Sequence, residues 1–163
     1  MNSLLSRALE LQHAAHELMY LGMDGEPIYS DTFCRLNKEL LVKSDSLFSS
    51  QSSNIEEEAN LCLALLMGYN ATIYDYGDKG QKKQAVLDRI YNVLEKLPDS
   101  LLKVRLLTYT YGEVYEESML QEVHSIMDNW NKSALTVEQT EVMEELKNIE
   151  AVSYTHLRAH ETC

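Results

Sequence analysis

A chain of 163 residues with 26 acidic against 14 basic side chains carries a formal net charge of −12. That balance excludes a sequence-independent grip on nucleic acid, which needs basic groups over phosphates, and docking on anionic membrane surfaces. Three widely spaced cysteines, Cys34, Cys62 and Cys163, form no C-x-x-C pair, which excludes a disulfide framework or zinc ribbon and points to a reduced, cytoplasmic protein.

Leucine outnumbers valine plus isoleucine by 25 to 15, and only two prolines occur, a composition that favours helix over strand. The first helix is predicted from Ser3 to Leu21, with Leu4, Ala8, Leu11, Ala15 and Leu18 as one apolar stripe. Arg7, Glu10, His13, His16 and Glu17 interrupt it too often for the unbroken apolar stretch of an export signal. Gly22 to Ser30 is turn chemistry, with Pro27 barring helix. Ser30 or Asp31 is expected to cap a second helix that carries Phe33, Leu36, Leu40 and Leu47.

After a polar loop, Asn54 caps a third helix, with Glu56, Glu57 and Glu58 at the positive end of its dipole. From Leu61 to Tyr69 this helix is apolar on every side, so it should be the central element. The run is far shorter than the ~20 residues that span a bilayer. A turn over Asp75 to Gly80 precedes a fourth helix, Gln81 to Leu97, which Pro98 breaks. The fifth starts at Asp99 or Ser100 and has two apolar sides, Val104, Leu107, Tyr111 and Tyr115 opposite Leu102, Leu106 and Tyr109, as in layered helices. A sixth runs from Glu116 to Trp130. The seventh starts at Thr136, which forms a capping box with Gln139. The expected fold is therefore all-α, one domain over residues 1–150 of about seven helices, arranged as antiparallel hairpins around the third. The unit from Asn70 to Pro98 is weakly similar to a tetratricopeptide repeat.

Residues 151–163 stand apart. Val152 to Thr162 back-translates into the end of a transposon sequencing adapter, so the His156, His160 and Cys163 spacing is read as appended sequence and not as a metal site. His13 and His16 lie one turn apart, but the H-E-x-x-H order of a metalloprotease is missing, and with His124 they read as surface or helix-contact residues. Asp75 to Gly80 fails as a calcium loop, because Lys79 occupies a ligand position and Val86 stands where the bidentate Glu belongs. Cys34 and Cys62 read as small core residues. No phosphate-binding glycine loop or hydrolase elbow is found, so the chain reads as a non-enzyme without cofactor or metal.

Two patterns favour a protein partner. Tyrosine supplies 10 aromatic residues, against 2 phenylalanines and 1 tryptophan, and suits half-wet interfaces. Glu113 to Glu150 holds ten acidic residues against Lys132 and Lys147, a field that attracts a basic partner. On the fifth helix Leu102, Leu106, Tyr109, Glu113 and Glu116 share one broad face at about 100° per residue. Tyr109, Glu113 and Glu116, where this face turns from apolar to acidic, are the expected partner-binding residues.

The segments LQHAAHELMYLGMDG (11–25), YSDTFCRLNKE (29–39), LCLALLMGYNATIYDYGDK (61–79) and KLPDSLLKVRLLTYTYGEVYEE (96–117) together resemble the UpxZ family. The resemblance implies an antagonist of transcription antitermination, encoded in capsular polysaccharide loci. It further implies that the partner is a NusG-like antiterminator of the UpxY type, made by another locus, and that the antagonist acts through protein contacts without touching nucleic acid. No site residues follow from the resemblance. A generic helical-repeat adaptor is the alternative reading.

Overall fold

The computed structural model describes residues 3–22, 25 and 27–161, with 152–161 described by backbone alone. Among these residues there are seven helices and no strand: α1 (Leu4–Met19), α2 (Ser30–Phe48), α3 (Ile55–Ala71), α4 (Lys79–Leu94), α5 (Leu101–Val114), α6 (Glu117–Met127) and α7 (Val137–Glu161). The all-α expectation holds. Packing groups them into two compact units, residues 1–97 and 98–163.

In the first unit α3 packs against α1, α2 and α4, most extensively against α1. Residues Ala59 to Tyr69 are buried without a break, as the all-round apolar run requires. Each buried leucine contributes about 1.5–3 kcal/mol, set against roughly 1–2 kcal/mol per residue of backbone ordering. A helix this short is therefore held by its neighbours. Asn54 caps it, accepting from the Glu57 N–H at 2.8 Å, while the Glu57 carboxylate accepts from the Ser53 N–H at 2.9 Å. A Cβ at Gly68 would collide with Ser44 Oγ on α2, so the absence of a side chain lets the two helices close. The α1 stripe packs as predicted at Ala8, Leu11, Ala15 and Leu18, and Gly22 follows it with φ 85°.

In the second unit α5 packs against α6 and α7. Ser100 caps α5, accepting from the Lys103 N–H at 3.1 Å. At its other end Tyr115 adopts φ 55°, a left-handed cap, and its N–H bonds the Tyr111 carbonyl at 2.9 Å. The Tyr111 and Tyr115 rings meet edge to face at 6.0 Å, a contact that helps offset the strain of a non-glycine residue there. Lys103 bridges Glu122 on α6 at 2.7 Å. The capping box forms reciprocally: Thr136 Oγ1 accepts from the Gln139 N–H at 3.0 Å, and Gln139 Oε1 from the Thr136 N–H at 2.9 Å.

Several boundaries differ from the sequence reading. Helix α2 begins at Ser30 with Tyr29 in the cap position and no side-chain cap bond, because a tyrosine carries its oxygen too far from the backbone to reach the first-turn N–H groups; only the ordinary backbone bond from the Phe33 N–H to the Tyr29 carbonyl, at 3.0 Å, opens the helix. Helix α4 starts at Lys79 and stops at Leu94, and Leu97 stays buried beyond its end. Helix α6 ends at Met127, after which the Asn129 and Trp130 N–H groups make tighter bonds three residues back. Cys34 is exposed, not a core residue, since it lies off the buried stripe of α2. The side chains of His156, His160 and Cys163 lie outside the described residues.

Candidate interaction surface

Polar side chains placed on otherwise apolar stripes do much of the positioning in the first unit. Asn37 stands on the α2 stripe between Phe33 and Leu41 and is only 4% exposed. A buried amide must satisfy its donors and acceptor, and this one does so on the segment after α3. Its Oδ1 accepts from the Ile73 N–H at 2.8 Å and the Tyr74 N–H at 3.4 Å, and its Nδ2 donates to the Tyr74 carbonyl at 2.9 Å. The side chain therefore holds the chain as a neighbouring strand would. Asp75 Oδ1 accepts from the Gly77 N–H, Gly77 turns with φ 89°, and Lys79 Nζ donates to the Thr72 carbonyl at 2.6 Å.

The result is a short ordered segment that presents its apolar side chains outward. Ile73, Tyr74 and Tyr76 are 64%, 63% and 68% exposed. Phe33 meets Tyr74 edge to face at 6.4 Å. Between this segment and α2 lies a cleft of about 420 Å³, walled by Cys34, Lys38 and Leu41 on one side and Tyr74, Asp75 and Tyr76 on the other.

Two further polar networks fix the elements around it. Arg89 on α4 donates to both Glu58 oxygens, from Nε at 3.2 Å and from a terminal nitrogen at 2.5 Å, and to the Phe48 and Ser50 carbonyls. It clamps the α2–α3 loop. Despite its burial, the hydrogen bonds and charge of Glu58 hold Arg89 above the usual guanidinium range. Lys82 pairs with Asp45 at 2.9 Å and Asp78 at 3.1 Å, which holds its ammonium above its ordinary value. Tyr69 donates to Asp45 at 2.8 Å, and burial first, then that carboxylate, pushes its hydroxyl upward. Gln12 on α1 donates to the Asn60 side chain and carbonyl on α3. Burial pushes the Cys62 thiol up to about 12, which makes it inert.

The residues expected to bind a partner are spread over different environments. Tyr109 is 9% exposed, well inside the border at which an anchor was expected. Glu113 is half-buried and Glu116, the cap residue of α6, is exposed. Of the histidines, His13 pairs with Glu17 at 3.2 Å, His16 stacks against Tyr20, and His124 joins Glu150 on α7 at 2.8 Å. The sequence reading missed Asn37. Its signal was a polar residue at a position where the helical period calls for an apolar one.

Comparison with known proteins adds to this geometry. The family model described as the UpxZ family of transcription anti-terminator antagonists matches residues 8–112. The chain is similar to a solved structure of a transcription anti-terminator antagonist UpxZ from Bacteroides uniformis ATCC 8492. Their identity is 66%, with a TM-score of 0.85 over 94% of this chain and 96% of that one. No protein of curated function matches the chain. No helix among the described residues is long and apolar enough to cross a membrane.

Proposed function

The chain belongs to the UpxZ family of transcription anti-terminator antagonists, and from that premise we propose that it binds NusG-like anti-terminators of the UpxY type. In this reading its targets are made by other capsular polysaccharide loci, so that one capsule operon is read through while the rest terminate. The observation that carries the reading is the 66% identity to an anti-terminator antagonist across nearly the whole of both chains.

The action proposed is stoichiometric: a cytoplasmic protein covers the surface by which an anti-terminator engages the transcription machinery. Factors that work on nucleic acid carry basic surfaces, and the acidic stretch from Glu113 to Glu150 would draw them in. Of the three residues expected to bind a partner, Glu113 and Glu116 remain our contact candidates in the second unit, acting mainly on the association rate, while the buried Tyr109 supports that helix from within instead of anchoring the partner.

Co-purification of the chain with a panel of UpxY-type proteins, its own locus and others, tests the reading. Capture of those from other loci is expected. Capture of none would refute it. Within that assay Glu113→Lys with Glu116→Lys should slow association and flatten its salt dependence, and unchanged association at low salt would remove these residues from the interface.

A further inference from the structure

We propose that the cleft between α2 and residues 73–77 is the docking site for the anti-terminator, a proposal that rests on the antagonist reading above. The occupant is a surface segment of that protein with one apolar side chain flanked by an acidic group on one side and a lysine or arginine on the other.

The argument starts from exposure. Large apolar side chains held well out of the surface cost solvation unless something covers them, and here Ile73, Tyr74 and Tyr76 stand together within four residues. They are not held out by looseness. Three hydrogen bonds with buried Asn37, two accepted and one donated by its side chain, together with the Asp75 to Gly77 turn and the Phe33 ring, fix the segment before any partner arrives. A surface ordered in advance loses less entropy on binding. Tyrosine combines a large apolar face with a polar tip and few rotatable bonds, the properties of binding hot spots.

Charge defines the occupant. Lys38 on the α2 wall has no ion-pair partner among the described residues. Across the cleft the exposed Asp75 spends one oxygen on the Gly77 N–H. The two walls thus offer opposite charges beside the apolar surfaces of Leu41, Tyr74 and Tyr76. A partner segment of complementary order places its carboxylate at Lys38, its apolar side chain between the tyrosines, and its cation at Asp75, where a tyrosine face also attracts it. The cleft lies wholly within the span that the family model matches, residues 8–112, whereas Glu113 and Glu116 fall outside it. Anchoring in the cleft and attraction by the acidic segment are separate contributions.

The test uses the full chain and purified UpxY-type proteins in titration calorimetry, with sedimentation velocity of each variant alone. Tyr74→Ser with Tyr76→Ser should weaken binding roughly thirtyfold or more, the range of a hot-spot pair, with helicity and melting temperature close to the parent's. Lys38→Glu should weaken it roughly three- to tenfold, and an Asp75→Lys variant likewise. If the parent binds and the tyrosine variant binds equally well, the cleft is not the dock, and the antagonist reading stands. If the parent binds no anti-terminator, both fall. If the parent sediments as a dimer that the tyrosine variant abolishes, the occupant is a second copy of this chain, and the proposal is overturned.

Discussion

Replacing Asn37 by alanine should loosen the segment that carries the exposed tyrosines while leaving the helices standing. Two of its three hydrogen bonds have good geometry, at 2.8 and 2.9 Å, and the third is long at 3.4 Å. A net contribution of about 0.5–1.5 kcal/mol per bond gives roughly 1–3 kcal/mol for the two strong ones. The freed backbone groups belong to residues that are nearly two-thirds exposed, so water replaces part of the loss. The expected cost is therefore about 1–2 kcal/mol, or about 2–8 °C in melting temperature for a chain of this size. Hydrogen exchange at the Ile73 amide should accelerate about tenfold or more, while the amides of Leu63 to Met67 in α3 slow down or speed up only with global stability. Asn37→Asp adds a directional check. A buried carboxylate facing the Tyr74 carbonyl is repelled until it is protonated, which raises its folded pKa above the unfolded value. Its stability gap to the parent should narrow as pH falls toward about 4. If the Ile73 amide exchanges as fast in the parent as in the alanine variant, Asn37 does not order this segment.

Arg89→Met should cost about 2–3 kcal/mol in urea denaturation, below the ~3–5 kcal/mol of a fully buried broken pair because both side chains are 26% exposed. Adding Glu58→Gln should recover about 1 kcal/mol, and a double variant no better than the single one would mean that no stranded charge is involved. Stability should fall as pH rises above about 9. Cys62 and Tyr69 have raised folded values, so the unfolded chain loses their protons first, and Lys82 loses its ion pairs at still higher pH. Cys62→Ala should flatten the first part of that slope, read from urea midpoints between pH 8 and 11. In a Cys163→Ser background, a thiol reagent should modify Cys34 at once and Cys62 only on unfolding, and rapid loss of both thiols under native conditions would contradict the packing of α3.

The helices were legible because their signals are local. Asn54 and the Thr136–Gln139 pair cap their helices as the sequence suggested, Ser100 settles the two starts left open for α5, and the unbroken apolar run from Leu61 marked the most buried helix. The cap of α2 was misjudged because Tyr29 fills that position through its backbone alone. The cleft was not legible at all. It depends on Asn37 meeting Ile73 and Tyr74 across a gap of more than thirty residues, and no spacing rule records such a meeting. Tyr109 illustrates the opposite failure. Angular position on a helix says which residues share a face, but not how deeply a neighbour covers it, and Tyr109 is covered.

The placement of α3 also governs how the first unit comes into being. Helix α1 ends at residue 19 and its principal packing partner is complete only at residue 71. At about 5–20 residues per second of synthesis, the apolar stripe of α1 waits roughly 3–10 s for α3 to emerge. Helix α2 waits for the same partner, and α4 must follow before α3 is enclosed on its remaining side. Every nascent copy thus passes through an interval in which two amphipathic helices stand ready for a chaperone or a protease. Under the one-to-one action proposed above, the share that survives this interval sets the working dose.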